Sequence, residues 1–258
     1  MTRQAVILGC GTVGALAGRL LLARGWQVTG VRRTPGSDPG FPLLAGDAAD
    51  PVLWSRLPPA HAVLLTATPG LRRGRDNRLV DAARAIPAGL RLVCSGTTAV
   101  YGDAGGSAVA EDGPLAADAG PLLALEAAVL AHGDACVLRC PALVGPSRLR
   151  VQERARAAAA AGSPLTVPGD PDRPFSVLHE DDLADLLAEA VDGRLCSVRG
   201  VINAAHPQPL TVRGYYAEQA RRAGVDVPIA SDGTDKPSRA IDARRLHALL
   251  PDWTWKRG

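Results

Sequence analysis

The sequence has few of the residues that bind nucleic acids or cross membranes. Aromatic residues make up 3% of the 258 positions, and only two of the 29 basic residues are lysines, Lys236 and Lys256. No basic run exceeds two residues, so the stacking platforms and charged stripes of nucleic-acid-binding proteins are missing. No apolar run approaches the length that spans a bilayer. We expect neither a nucleic-acid nor a membrane partner, but a small-molecule substrate and a monomer or homodimer.

Cysteine is also scarce, and its five occurrences do not suggest a disulfide framework. Their number is odd, and they lie mostly within apolar, strand-like runs, at Cys10, Cys94, Cys136, Cys140 and Cys196. No further Cys or His residues stand at a spacing that would complete a zinc site. No secretory leader pattern precedes the first apolar run. These observations predict buried thiols in the reducing cytoplasm and no metal site.

Near its start, the sequence has a glycine-rich turn between an apolar run, residues 5–8, and a helix that ends near residue 24. Residues 9–14 read Gly-Cys-Gly-Thr-Val-Gly. Glycines at this spacing allow a tight turn, close approach of a pyrophosphate to the backbone, and close packing of helix on strand. Because a helix N-terminus binds phosphate, we predict a dinucleotide site. The predicted contacts are Gly9, Gly11, Thr12, Val13 and Gly14. Glycines between a strand and a helix can also be simple turn residues.

Two arginines, Arg32 and Arg33, follow the second predicted strand, residues 26–31. At this point of a dinucleotide-binding fold an acidic residue binds the ribose 2′-hydroxyl, whereas arginine accommodates a 2′-phosphate. No acid is present here, and guanidinium matches phosphate well. We therefore predict that the cofactor is NADP, the alternative being a pair of solvated surface arginines.

The rest of the chain alternates between apolar strands and helices. Further strands are predicted at residues 43–47, 61–67, 91–95, 136–140 and 201–203, with one helix after the loop 71–78 that ends near residue 86 and others near 122–131 and 181–191. This alternation predicts an α/β fold with a Rossmann-type, doubly wound parallel sheet. At the strand ends, Asp47 is placed to contact the adenine edge or to cap a helix at residues 48–57. Ala67 and Thr68 are expected beside the cofactor.

Two stretches interrupt the alternation. Residues 148–161 are predicted to form a helix that leads into a Pro-, Gly- and Asp-rich segment, and residues 206–258 contain two further helices, near 212–223 and 242–250. Both stretches follow the carboxyl ends of strands, where ligands bind in such sheets. We therefore predict a cofactor-binding core, residues 1–147 completed by about 175–205, and a small, mostly helical C-terminal substrate cap. The cap comprises residues 148–174 and 206–258.

The fifth predicted strand ends in hydroxyl residues, including Ser95. A strand that ends in this way places their hydroxyl groups on the nicotinamide side of the crevice. The stretch at residues 93–103 reads Val-Cys-Ser-Gly-Thr-Thr-Ala-Val-Tyr-Gly-Asp. With residues 138–148, 173–183 and 236–253, it resembles the extended and atypical short-chain dehydrogenase/reductases, the NAD(P)-dependent epimerase/dehydratase superfamily. The resemblance covers nearly the whole chain. It implies an NADP-dependent oxidoreductase or epimerase acting on a small hydroxylated or carbonyl substrate, with Thr97 binding the substrate and Pro141 beside the nicotinamide.

The resemblance is incomplete at the residues that transfer a proton in the superfamily. Working members of the superfamily carry a Tyr-x-x-x-Lys dyad on the helix after the fifth strand, in which the lysine and the nicotinamide ribose lower the tyrosine pKa. Here Asp118 and Leu122 fall at those positions, and none of the three tyrosines has a lysine four residues later. The dyad is absent.

Substitutes for the dyad can be named. Thr97, Tyr101 and His179 are the candidate catalytic residues, with Glu111 and Asp118 as further possible proton donors. Each also has a structural interpretation: Tyr101 as a packed aromatic, His179 as a buried, hydrogen-bonded histidine, and the two acids as solvated loop residues. A catalytically silent NADP-binding sensor, and a dehydratase or cyclase with an idle cofactor, are the alternative functions.

Overall fold

The computed structural model describes residues 2–34, 36–67 and 78–256. The strands are β1 (Gln4–Leu8), β2 (Gln27–Arg32), β3 (Leu43–Ala45), β4 (Ala62–Leu65), β5 (Arg91–Thr97), β6 (Ala108–Val109), β7 (Ala135–Cys140), β8 (Ala142–Val144), β9 (Leu165–Val167), β10 (Pro174–Phe175), β11 (Val177–His179), β12 (Gly200–Asn203), β13 (Leu210–Thr211), β14 (Ile229–Ser231) and β15 (Ala240–Ile241). The α-helices are α1 (Thr12–Ala23), α2 (Arg78–Ala85), α3 (Gly120–Leu130), α4 (Arg150–Ala160), α5 (Glu180–Asp192), α6 (Val212–Arg222) and α7 (Arg244–Leu249).

Seven of the strands form one parallel sheet in the order β3-β2-β1-β4-β5-β7-β12. From β1 the chain adds strands first on one side and then, after β3, on the other. A crevice therefore opens between the carboxyl ends of β1 and β4, which is where ligands bind in sheets of this kind. The predicted Rossmann-type fold is confirmed.

Helices cover both faces of the sheet, which explains why its central strands are apolar along their whole length. Successive residues of a strand point to opposite faces. In β1, Ala5 and Ile7 pack in the cluster that includes α1 and α5, whereas Val6 and Leu8 pack in the cluster that includes α2 and α3. All four residues are fully buried.

The helices α4 and α6 pack on each other beyond the sheet, around Ala155, Leu165 and Ala220. Four two-stranded pairs accompany them: β8–β11, β9–β14 and β6–β15 are parallel, and β10–β13 is antiparallel. These pairs were not predicted, because strands of two or three residues are too short to show a periodicity.

The structure departs from expectation at two further places. The helix expected at residues 48–57 is a shorter 3-10 helix, Pro51–Arg56, because Asp50 caps it by accepting a hydrogen bond from the Val52 amide at 2.9 Å and proline occupies its first position. All five cysteines are free thiols, but Cys196 is exposed, since it lies in the turn after α5 rather than in a strand.

No helix in the described ranges is both long enough and apolar enough to cross a membrane. In the same part of the chain, no group of three or more His, Cys, Asp and Glu side chains is arranged to hold a metal ion.

Candidate functional site

A cleft of 1040 Å³ lies at the carboxyl edge of the sheet, at the crevice between β1 and β4. Of the residues predicted to contact the cofactor, the following line it: Gly9, Gly11, Thr12, Val13, Gly14, Arg32, Arg33, Asp47, Ala67, Ser95 and Pro141. Thr68 lies outside the described residues. The cleft therefore brings together side chains from six separate stretches of the chain.

The glycines at the start of α1 have different surroundings. A Cβ atom at Gly9, whose φ is +88°, would lie 2.4 Å from the Ala67 nitrogen, and one at Gly14 would lie 2.8 Å from Thr66 Oγ1. At Gly11, by contrast, the nearest atom would be the Gly9 carbonyl oxygen at 3.9 Å. The first and third glycines are thus required by packing, whereas a side chain at the second would project into open space.

The N-terminus of α1 fits an anionic ligand. Its cap residue, Gly11, makes no side-chain hydrogen bond, and the first turn contains no acidic residue. The first N–H groups of a helix have no partner within the helix, and they carry its positive dipole end. Because Thr12 and Val13 line the cleft, these donors and the cleft meet at the place where the motif predicts a pyrophosphate.

Arg32 leaves a buried donor without a partner. Its Nη2 donates to the Ser37 carbonyl oxygen at 3.3 Å, but its Nε is buried and has no hydrogen-bond partner among the described residues. Arg33, which follows it, is exposed. Buried donors are normally satisfied in proteins, so the environment of Arg32 suits a ligand that supplies acceptor oxygens.

Asp47 is engaged within the protein. Its Oδ1 accepts a hydrogen bond from the Ala49 amide at 3.1 Å, and its Oδ2 pairs with Arg78 Nη1 at 2.9 Å. Both Asp47 and Arg78 line the cleft, so their ion pair joins the end of β3 to the start of α2 along one wall.

Thr97 occupies the last position of β5 and is half-buried. Its Oγ1 accepts a hydrogen bond from the Ala99 amide at 3.2 Å, which fixes the oxygen and leaves its proton for another partner. Thr97 and Pro141 line the first cleft and also a second cleft, of 460 Å³. The two clefts therefore meet at these residues.

The structure does not bring Tyr101 to either cleft. The residue is fully buried, donates its hydroxyl proton to Asn203 Oδ1 at 2.6 Å and accepts from Arg139 Nη1 at 2.8 Å. Burial raises the pKa of Tyr101, although Arg139 opposes this effect. A phenol with no exposed surface and both partners occupied cannot reach a substrate, so the expected proton-transfer role gives way to a structural one.

His179 also lies away from both clefts. It is buried, and its Nδ1 accepts a hydrogen bond from the Asp181 amide at 3.2 Å, which makes it the N-cap of α5. Of the two acids considered, Glu111 accepts a hydrogen bond from the Asn203 amide at 2.9 Å and Asp118 is exposed; neither lines a cleft. Thr97 is therefore the one predicted catalytic residue that the fold places at the junction.

The second cleft is basic. Arg173, Lys236 and Arg239 line it, and no aspartate or glutamate does so among the described residues. Arg239 donates to the Thr98 and Gly102 carbonyl oxygens at 3.0 and 3.2 Å. The Nε of Arg173 is buried and has no hydrogen-bond partner in the described part of the chain. Its members lie in two segments that carry the family resemblance, residues 173–183 and 236–253, but no motif spacing predicts that these segments together line one basic cleft.

The thiols at the first cleft do not extend its chemistry. Cys10 and Cys140 line it, but burial raises the pKa of both. Since the thiolate is the reactive form, a raised pKa disfavours nucleophilic chemistry at both cysteines.

The fold is shared with structures of known sugar-nucleotide enzymes. A dTDP-glucose 4,6-dehydratase from Bacillus anthracis in complex with NAD superposes with a TM-score of 0.79 at 18% identity, over 100% of this chain and 92% of that one. MoeE5 in complex with UDP-glucose and NAD gives 0.76 at 24%, over 99% and 94% of the two chains. A UDP-glucuronic acid 4-epimerase from Bacillus cereus in complex with NAD gives 0.75 at 18%, over 97% and 92%.

No protein-family model matches the sequence, and no curated protein matches it significantly. At these identities the structural likeness establishes the fold. The chain therefore has the fold of epimerases and dehydratases whose structures contain NAD, which agrees with the resemblance in its sequence.

Proposed function

We propose that the protein is an NADP(H)-dependent oxidoreductase or epimerase that acts on a small hydroxylated or carbonyl substrate. The observation that carries this proposal is the junction of the two clefts at Thr97 and Pro141. A cofactor in the first cleft and a substrate in the second would meet there. When bound, the nicotinamide would accept or supply a hydride.

Backbone and side-chain groups of this protein would bind and orient the two ligands. The glycine loop and the first N–H groups of α1 would hold the pyrophosphate, with Ser95 and Pro141 beside the nicotinamide and Asp47, Ala67 and Thr68 along the rest of the cofactor. The Thr97 hydroxyl, whose oxygen is fixed by the Ala99 amide, would donate a hydrogen bond to a substrate oxygen. We assign cofactor binding to residues 1–147, completed by about 175–205, and substrate binding mainly to residues 148–174 and 206–258.

The lining of the second cleft suggests the charge of the substrate. Arg173, Lys236 and Arg239 present three cationic groups without an accompanying carboxylate among the described lining residues. We propose that the substrate carries a phosphate or carboxylate group. Sugar nucleotides such as UDP-glucose, which MoeE5 binds in its complex, are the first candidates to try as substrates.

The preference for NADP over NAD can be tested at Arg32. Arg32→Gln should weaken NADP binding by about ten-fold and leave NAD binding nearly unchanged, because a hydrogen bond to a charged group contributes about 1.5–3 kcal/mol before solvent screening. Arg56→Gln, at an exposed arginine of the 3-10 helix, is the matched control. Calorimetric titration at low salt measures both affinities. Equal affinities of the unmodified protein for NADP and NAD would identify Arg32 and Arg33 as surface residues.

A catalytically silent, NADP-binding sensor is a second candidate, and the lining of the second cleft favours it in one respect. Leu122 lines that cleft at the position where the superfamily carries the lysine of its dyad. Mass-spectrometric identification of the ligand retained by the purified protein, followed by nicotinamide absorbance assays with that ligand, distinguishes the two functions. NADP binding without hydride transfer to any substrate class would support the sensor.

A further inference from the structure

Arg148 lines the first cleft, although neither the glycine motif nor the strand endings predicted a contact there. It follows a tight turn after β8, in which the Arg148 amide donates to the Gly145 carbonyl oxygen at 3.0 Å. Its side chain is 40% exposed. Arg148 is thus a cationic residue at the C-terminal end of this turn, and it lines the cleft.

A buried carboxylate holds the Arg148 guanidinium from behind. Glu180, the first residue of α5, is 2% exposed, and its Oε2 lies 3.3 Å from Arg148 Nε. The Ser147 amide donates to Glu180 Oε1 at 2.8 Å, and the Ser147 hydroxyl donates to Oε2. A carboxylate at the first position of a helix is also favoured by the helix dipole. Glu180 therefore organises the turn and the arginine together.

The turn closes tightly on this carboxylate. Gly145 has a φ of +140°, and a Cβ atom there would lie 2.6 Å from Glu180 Cγ. While Nε of Arg148 faces Glu180, no hydrogen bond joins its Nη groups to another residue of the described ranges. A guanidinium anchored on one side presents its remaining donors to a planar or tetrahedral anion on the other side.

The packing of α5 against α1 shows which part of the first cleft Arg148 approaches. At their C-terminal ends the two helices are joined, since Arg24 Nη1 donates to the Asp192 carbonyl oxygen at 2.8 Å. At the opposite end, Leu183 in the first turn of α5 and Thr12 in the first turn of α1 line the same cleft. The helices therefore run in the same direction, and Arg148 lies at the end where α1 begins.

The cationic side chains that line the first cleft lie at different places along it. Arg32 and Arg33 lie at the end of β2, and Arg78 is paired with Asp47. The glycine loop and the first turn of α1 carry no cationic side chain, so they offer only N–H groups to a dianionic pyrophosphate. Arg148 is the cationic side chain on the wall that contains Leu143 and Leu183.

We propose that Arg148 binds the pyrophosphate of the dinucleotide from the side of α5, with Glu180 as its positioning residue. The inference rests on the proposed function in requiring a nicotinamide dinucleotide in the first cleft. The proposed pyrophosphate contact comes from the segment between β8 and α4, outside the glycine loop. A bound cofactor would therefore contact the turn that leads into α4.

Calorimetric titration of Arg148→Gln with two probes tests this role. NADP contains the pyrophosphate, whereas adenosine 2′-phosphate contains only the 2′-phosphate end of the cofactor. Arg148→Gln should weaken NADP binding by about ten-fold or more at low salt, with a smaller salt dependence than the unmodified protein, and leave adenosine 2′-phosphate binding unchanged. Arg150→Gln, at an exposed arginine two residues later, should leave the binding of both probes unchanged.

Two further variants keep the result interpretable. Arg148→Lys retains the charge without the planar fork and should recover part of the lost affinity. Glu180→Gln should weaken NADP binding in the same direction, by less, in protein whose thermal unfolding is checked separately. Unchanged NADP affinity in Arg148→Gln, or an equal loss for both probes, would overturn the assignment. Failure of the unmodified protein to bind NADP or NAD would instead refute the proposed function.

Discussion

Among single residues, Tyr101 joins two strands of the main sheet through one hydroxyl. It bonds Asn203 of β12 and Arg139 of β7, and Arg139 holds Glu126 of α3 through two hydrogen bonds of 2.9 and 2.7 Å. Asn203 Nδ2 in turn donates to the Val109 and Asp242 carbonyl oxygens at 3.2 and 2.9 Å. Every side chain of this network is buried, so removing one partner leaves polar groups unsatisfied.

Tyr101→Phe should therefore destabilise the protein by about 1–3 kcal/mol, the cost of leaving a buried acceptor and a buried donor without a partner. Cofactor affinity should remain unchanged, because Tyr101 does not line the cleft. Urea denaturation and calorimetric titration measure the two quantities, with Tyr216→Phe, at a half-buried tyrosine of α6, as the control. A variant of unchanged stability that had lost turnover would restore the catalytic interpretation of Tyr101.

Thr97 is the residue at which the proposed chemistry is most directly tested. Thr97→Val preserves shape and removes the hydroxyl, so turnover on the true substrate should fall by about ten-fold or more while NADP binding changes little. Thr97→Ser keeps the hydroxyl and should retain most of the activity. The ratio of kcat/KM between the two variants is the measurement. Full activity of Thr97→Val would mean that another group orients the substrate.

How far the sequence predicted the site depends on whether each residue belongs to a local motif. The glycine loop, Arg32, Thr97 and Pro141 were predicted from a local motif, from strand endings and from the family resemblance, and all of them line the first cleft. Arg148 and Lys236 lie in segments that carry the family resemblance. Their proposed roles depend on how distant loops come together in the fold, which the spacing of residues in the sequence does not predict. For Tyr101 and His179, the residue types suggested chemistry that burial precludes.

At the scale of the element, the glycines of the turn between β1 and α1 serve different purposes, one for stability and another for cofactor binding. Gly11→Val places a side chain in open space and should leave the thermal midpoint within a few degrees of the unmodified value, yet reduce cofactor affinity by about a hundred-fold by blocking the pyrophosphate. Gly9→Ala should instead lower stability by about 2–4 kcal/mol, because it combines positive φ with a backbone clash. Thermal unfolding and titration of both variants distinguish these effects. If Gly11→Val bound NADP normally, the cleft would not be the cofactor site.

Elements were predicted well where burial imposes a pattern and poorly where it does not. The strands β1, β4 and β7 are buried on both faces and therefore appear as continuous apolar runs in the sequence. The pairs formed by β6, β9 and β10 depend on partners at least 35 residues away and contain too few residues for an alternation. The proline at residue 51 indicates that a helix begins there, but the prediction of a helix at residues 48–57 did not take it into account.

For the molecule as a whole, Asp192, the last residue of α5, is bonded to the residues that immediately precede β1 and β2. Arg3 Nη1 and Trp26 Nε1 donate to its two oxygens at 2.6 and 2.8 Å. Burial opposes ionisation, but the hydrogen bonds from Trp26 and Arg3 outweigh it and lower the pKa of Asp192. A lowered pKa in the folded state means that this stabilisation is present above the unfolded-state pKa, near 4, and is lost as pH falls through the folded-state value.

Asp192→Asn should accordingly destabilise the protein by about 1–2 kcal/mol at neutral pH, since one partner of the pair is exposed. The difference from the unmodified protein should shrink as pH falls below about 4. Denaturation midpoints across this pH range give the comparison, with Asp226→Asn at an exposed loop carboxylate as the control. A difference that stayed constant with pH would assign the effect to packing rather than to charge.

The pairing of β8 with β11 brings together the two ends of the chain that lies between them. Ala142 lies opposite Val177 and Val144 opposite His179, so the chain leaves the core and rejoins it along one short parallel ladder. Residues 149–172, which include α4 and β9, are bounded by these two anchors. A segment grafted between these anchors would leave the order of the main sheet unaltered, but it would have to preserve the packing of α4 on α6 and the pairing of β9 with β14. New specificity would arise by splicing one continuous piece of chain, while the glycine loop and Arg148 stay in place.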